Sequence, residues 1–307
     1  MPAKAAFTFS RNFRDRMLER TNREHFDLVI LNGSDLLWLE TVLPSTIPRL
    51  LIAHNIEHLL FAAQAETLER SFPLLRPILR WERRRMERFE TAGIRSVRNA
   101  IFLSSFDASH PLAGALASRT LVAPPLFSDP PAKRPRAKTG TVEIGFVGNM
   151  AWWPNRQGLS WFFSNVFPQV GTNVHFNLFG HGTERYARGA ARVTQHGPVD
   201  NLAEVWSRCD LMICPMLTGS GVSTKLAEAV YHGVPGLATS LATRGLPLTD
   251  DPCITVSDDA EDWIGHLTSP NVGAGKRISP TLSDQFAVHA HREAVQRFVR
   301  DVIREWS

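Results

Sequence analysis

Short apolar runs rich in β-branched residues recur along this chain at intervals of helix length, and that alternation limits the fold more than any other feature. FDLVILNG (26–33), RLLIAH (49–54), AIFLSS (100–105) and RTLVAPP (119–125) are too short for helices and read as strands. Stretches of helix length between them make the strands parallel, because such crossovers return the chain to the same end of a sheet. PLFSDPPAKRPRAKTGT (125–141), rich in proline and basic residues and poor in apolar ones, then reads as a linker. Beyond it the alternation restarts with VEIGFVG (142–148), VHFNLFG (174–180), VTQHG (193–197), DLMICP (210–215), PGLATS (235–240) and CITVS (253–257). The expected architecture is α/β, with two doubly wound Rossmann-like domains at 1–124 and 142–280. Residues 281–307 are expected to close the chain as one helix, capped by Ser283, with an apolar stripe through Phe286, Ala290, Ala294, Phe298, Val302 and Trp306.

Composition narrows the function classes. A chain of 307 residues with 43% apolar content can bury two cores, and a net charge of +4 is too mild to suggest a nucleic-acid partner. Three cysteines without a C-x-x-C pair suggest reduced, cytosolic thiols. No apolar run approaches the roughly 20 residues that span a bilayer, and the amino end lacks a signal-peptide core. The expectation is a cytoplasmic protein, soluble or peripheral at the inner face of the membrane.

His54-Asn55-Ile56-Glu57-His58 spells H-x-x-E-H, a zinc-protease pattern. In zinc sites of that kind both histidines sit on one helical face. Here His54 directly follows an apolar strand and a helix can begin only near Ile56, so the rings should diverge. No metal is expected.

In open parallel sheets ligands bind outside the carboxyl ends of the strands. Gly148 follows the first strand of the second domain, where a missing side chain lets backbone amides approach phosphate; a tight turn would explain one glycine equally well. After DLMICP, Gly219, Ser220 and Gly221 precede a helix expected to start near Val222, whose amino end suits a diphosphate. Lys225 in its first turn adds a full charge, and Glu228, one turn on, can accept both hydroxyls of a ribose diol. Taken singly, each also fits a capped surface helix.

GFVGNMAWWPNRQGLSWFFSNVFP and HGPVDNLAEVWSRCDLMICPMLTGSGVSTKLAEAVYHGVPGLATSLATRGL carry the patterns G-x-M-x-W-x-P-N and G-S-G-x-x-x-K-x-x-E-A. This half resembles the donor-binding domain of retaining GT-B glycosyltransferases of family 4, the glycosyl transferases group 1, and within them bacterial exopolysaccharide sugar transferases. The likeness is looser in the first half, where AHNIEHLL, RWERRRMERFE and FLSSFDASHP carry it. The resemblance implies a GT-B fold and transfer of a sugar, with retention, from a nucleotide-diphosphate donor to a glycan or lipid-linked acceptor, in surface polysaccharide or glycoconjugate synthesis.

It also implies roles. Glu228 would bind the donor ribose, while Gly219, Ser220, Gly221, Val222, Ser223, Thr224 and Lys225 would face the diphosphate and sugar. Gly197, Pro198 and Val199 would pack the nucleobase, Gly148 would open the donor loop, and His54 would face the donor sugar across the cleft. Catalysis would rest on His54, Lys225 and the Ser220 position. Ser220 stands where the family commonly has the first Glu of E-x7-E, and Asn149 replaces a common basic residue, leaving Arg156 and Lys225 as diphosphate partners. No D-x-D-like pair ends a strand, so no metal cofactor is implied. The alternative is a non-catalytic relative, a nucleotide-sugar-binding or scaffold subunit.

The first strand, Asp27–Leu31, resembles the family's fourth, so the acceptor half is expected to be shortened, with DLVIL at a sheet edge. Such an edge invites a homodimer or a partner protein. Finally, from Arg70 to Arg98 nine arginines accompany three glutamates, interleaved with Leu74, Leu75, Ile78, Leu79, Met86 and Phe89. That face suits either an anionic membrane surface or an ordinary helix with its apolar side in the core.

Overall fold

The computed structural model describes residues 1–111, 117–128, 140–187, 189–248, 251–269, 272 and 277–306. The expected linker lies for the most part outside the described residues. The chain divides into two compact units, Met1–Pro124 with Ser220–Val222 and His291–Ser307, and Pro125–Gly219 with Ser223–Ala290.

The first unit holds β1 (Val29–Asn32), β2 (Arg49–Ala53), β3 (Asn99–Phe102) and β4 (Arg119–Val122), parallel and paired in chain order. Its helices are α1 (Ala3–Thr8), α2 (Arg11–Arg23), α3 (Glu57–Ser71), α4 (Arg76–Val97) and α5 (Ser105–Ser109), with a 3-10 helix at Ser34–Thr41. Successive strand residues face opposite ways. Leu51 and Ala53 therefore enter one layer with Trp38, Ile94 and Val97, and Leu50 enters the other with Ile101 and Ala123. Val295, Phe298 and Val299 from the carboxy-terminal helix cover this second layer. β1 lies at a sheet edge with Ile30 50% exposed.

The second unit holds β5 (Val142–Val147), β6 (Val174–Phe179), β7 (Val193–Gly197), β8 (Leu211–Cys214), β9 (Gly236–Ala238) and β10 (Ile254–Val256). All are parallel, in the order β10-β9-β8-β5-β6-β7. From β5 the chain builds outward to β7, then returns to lay β8 on the other side of β5. The carboxyl ends of β5 and β8 thus flank a topological switch point, where open α/β sheets bind ligands. Around the sheet lie α6 (Trp153–Asn165), α7 (Leu202–Arg208), α8 (Thr224–Tyr231), α9 (Ser240–Thr243), α10 (Ala260–Thr268) and α11 (Pro280–Asp284), while α12 (Val288–Trp306) belongs from His291 onward to the first unit. Ile144 and Phe146 pack with Leu159, Phe162 and Trp263 on one face; Phe179 and Met212 pack with Val205, Trp206 and Ala229 on the other. Gly158 lets α6 touch the switch point, since a Cβ there would lie 1.8 Å from the Pro215 carbonyl oxygen.

The closing helix expected over 281–307 is instead two helices. Ser279, rather than Ser283, caps α11, its side chain accepting from the Leu282 amide. The chain then extends so that Phe127 N donates to the Phe286 carbonyl at 2.8 Å and Val288 N donates to the Phe127 carbonyl at 3.1 Å. This bridge to a segment far away in sequence takes the backbone groups a continuous helix would use.

Candidate functional site

The second unit gathers most of the singled-out residues at the carboxyl ends of β5, β7 and β8. Past β5, Gly148 and Asn149 open a loop that α6 holds from below. Asn155, in the first turn of α6, donates to the Asn149 carbonyl at 3.0 Å, and the Asn149 side chain accepts from the Ala151 amide at 2.8 Å. Arg156 Nη1 donates to the carbonyls of Met150 and Ala151 at 2.7 and 2.8 Å. Arg156 thus braces the loop.

α8 begins at Thr224, two residues later than expected, with Ser223 as its N-cap. No side chain caps it; the Ser223 hydroxyl instead meets the Cys214 thiol at 3.0 Å. Lys225, in the first turn, donates to Asn155 Oδ1 and lies 3.6 Å from Met216 Sδ. Its ammonium stands over the Phe146 ring, and among the described residues no carboxylate pairs with it. Burial in this neutral cage lowers the Lys225 pKa, against an opposing influence from Cys214. The Cys214 thiol is pushed up by its own burial.

Glu228 lies one turn further on α8, half-buried, and accepts from Trp206 Nε1 at 3.3 Å. Trp206, fully buried, stacks on His232 with centroids 5.8 Å apart. Gly197 ends β7 at φ +68°. Beyond Pro198, Val199 packs against the cluster around Trp206 and Phe179. His196 stacks flat on Phe179 at 4.4 Å, and burial, then Arg208, lowers its pKa. Gly219 has φ +139°, and its carbonyl accepts from Arg244 at 3.3 Å.

Ser220, Gly221 and Val222 cluster with the first unit. There Gly221, at φ +77°, lies on the backbone after β2, where a Cβ would stand 2.5 Å from the His54 carbonyl oxygen. His54 Nε2 is 2.6 Å from Asn32 Oδ1, at the end of the neighbouring strand β1. His58 sits in the first turn of α3, its Nδ1 2.7 Å from Glu90 Oε2 of α4. The two histidines of H-x-x-E-H therefore have separate partners. Among the described residues no three His, Cys, Asp or Glu side chains gather to hold a metal.

Sequence reasoning gave no role to Asn155, Trp206, Phe146 or Glu90. For Asn155 a signal existed, since it is the polar residue after Pro154 inside the quoted G-x-M-x-W-x-P-N pattern. The other three act across distances of 22 residues or more, which local spacing does not reveal.

Two parallel-sheet α/β units, the first the smaller, with a switch point in the second, define the GT-B architecture. Residues 141–269 match the family described as Glycosyl transferases group 1. The chain superposes on sucrose-phosphate synthase of Thermosynechococcus elongatus with a TM-score of 0.75 at 14% identity, covering 99% of this chain and 81% of that one. HepE of Anabaena, solved in complex with UDP, gives 0.62 at 15% identity over 96% and 80%. WaaG, a glycosyltransferase involved in lipopolysaccharide biosynthesis, gives 0.53 at 13% identity over 85% and 75%. No curated protein matches the chain.

Proposed function

We propose that the protein transfers a sugar from a nucleotide-diphosphate donor to a glycan or lipid-linked acceptor, with retention of anomeric configuration. The observation that carries this reading is Lys225, an enclosed ammonium without a carboxylate partner among the described residues, in the first turn of an uncapped helix at the switch point. A buried cation in a neutral cage is costly alone and is relieved by an anion. Breaking the bond from the anomeric carbon to the diphosphate oxygen leaves negative charge on that diphosphate. Lys225 and the amides at the amino end of α8 would stabilise this charge, and such groups are most effective where the dipoles are already oriented. Glu228, oriented by Trp206, would receive the ribose hydroxyls, and the segment Gly197–Val199 the base. Lys225 and these amides supply the charge compensation, so the reading calls on no resident metal. Because HepE of Anabaena was solved with UDP, uridine diphosphate is the first nucleotide to test.

The Ser220 position favours a second reading, a donor-binding subunit without turnover, since a hydroxyl cannot supply the carboxylate charge of E-x7-E. A panel of nucleotide sugars, assayed for binding and for donor hydrolysis or transfer, decides between the two. Turnover of any donor supports the transferase; binding without turnover leaves the subunit, and binding of none removes both.

A further inference from the structure

The hairpin of α3 and α4 leaves its apex bare. Leu74 is 93% exposed, Ile78 61%, Trp81 58% and Phe72 57%. The buried apolar residues of α4, Met86, Ile94 and Val97, all lie from its midpoint onward, so its first turns project with their apolar side chains outward. Ile78 and Trp81, three residues apart, share one side of α4, and Leu74 stands just before it in the short 3-10 turn Pro73–Leu75. Arg85 lies 4.2 Å over the Trp81 ring.

The charges around this patch are mainly basic: of the nearby carboxylates, Glu66 meets Arg83 at 4.0 Å, Glu69 is half-buried and Glu87 is exposed. Glu82 and Glu90 are buried, Glu90 being taken up by α3. Among the described residues, Arg70, Arg76, Arg80, Arg84 and Arg88 have no carboxylate partner. No described helix is long and apolar enough to cross a membrane, so an insertion here is shallow. Apolar and aromatic side chains ringed by unpaired guanidinium groups match a surface with fluid anionic headgroups above an acyl layer. A folded partner would have to offer fixed carboxylates to several separate arginines around one apolar patch.

We propose that the α3–α4 apex docks on anionic lipid surfaces, Leu74, Ile78 and Trp81 entering the headgroup boundary while Arg76, Arg80 and Arg84 engage lipid phosphates. This inference rests on the first unit alone and goes beyond the donor chemistry. Its test is sedimentation of the full chain with vesicles of phosphatidylcholine, or of phosphatidylcholine and phosphatidylglycerol in equal parts, at low and high salt. The wild type should sediment with anionic vesicles at low salt and be released as salt screens the charges. Arg76→Gln/Arg80→Gln/Arg84→Gln should lower partitioning roughly five-fold per arginine, and Leu74→Ser/Ile78→Ser/Trp81→Ser should abolish it. Circular dichroism checks that the variants stay folded, and the single changes Ile78→Ser and Arg80→Gln give the same contrast if a triple variant does not. Absence of binding to anionic vesicles, or binding that neither set weakens, overturns the proposal. So does an oligomer that the serine variant dissociates without any vesicle binding, which would identify a protein-docking face.

Discussion

The Lys225 ammonium stands 5.0 Å from the centroid of the Phe146 ring, in a cage completed by Asn155 and Met216. An isolated cation in such a place lowers stability, so replacing it with a similar apolar chain should not unfold the protein. Lys225→Met should keep or raise the thermal midpoint of the free protein while weakening UDP binding by about 1.5–3 kcal/mol, the usual contribution of a charged hydrogen bond. Calorimetry on both proteins reads this, and equal UDP affinity would remove Lys225 from the site.

The same cage sets a pH dependence. Because burial lowers the Lys225 pKa, the unfolded chain binds this proton more tightly than the native one. Stability from this group should therefore rise with pH, from the lowered native value up to the ordinary lysine value. Subtracting the unfolding free energy of Lys225→Met at each pH isolates the slope. A flat difference would mean that solvent reaches the ammonium freely.

Glu228 accepts from Trp206 at 3.3 Å, which separates its two possible roles. Glu228→Gln retains an acceptor for the indole but loses the charge that strengthens bonds to a diol. It should leave stability within about 0.5 kcal/mol and weaken UDP binding by about 1 kcal/mol. Glu228→Ala should weaken binding by about 1.5–3 kcal/mol. If uridine diphosphate and its deoxyribose analogue respond alike to both variants, the ribose assignment fails.

The central strands were legible as short apolar runs because a strand buried on both faces needs consecutive apolar residues, whereas the half-buried edge strand β7, VTQHG, was placed by the alternation around it. That Lys225 and Glu228 share one short helix was legible from their spacing, although nine residues separate that helix from β8. The break between α11 and α12 was not, since it depends on Phe127 pairing with residues 286–288. Nor was the neutral cage around Lys225, whose walls come from β5, α6 and the segment after β8. Spacing along the sequence reports neighbours on one element and says little about which elements meet.

Gly158 offers a test of the switch-point packing. Its missing Cβ would lie 1.8 Å from a backbone oxygen, which cannot rotate away as a side chain can. Gly158→Ala should cost about 3 kcal/mol, measured by urea denaturation. A loss below about 0.5 kcal/mol would mean that α6 can slide on the Pro215 segment.

Glu90, 1% exposed, accepts from the amides of Glu57 and His58 at 2.9 Å each and meets the His58 ring. Glu90→Ala leaves those donors buried and should cost about 3–5 kcal/mol, with Glu90→Gln intermediate. Chelator should change neither stability nor donor binding. Stoichiometric zinc in the purified chain would instead make H-x-x-E-H a metal site.

The helix α12 covers Leu50, Ile101 and Ala123 in the first unit, yet it follows every strand of the second in the chain. During synthesis the amino-terminal sheet therefore emerges from the ribosome with one face bare, and it stays so until the whole second sheet has been made. Contacts between residues so far apart form slowly, because the intervening chain must first be closed into a loop. The second unit, whose strands are covered by helices lying between them, can fold in the meantime. Birth order is thus reversed in assembly: the half made first is completed last, and in the interval its open apolar layer is the one most in need of a chaperone.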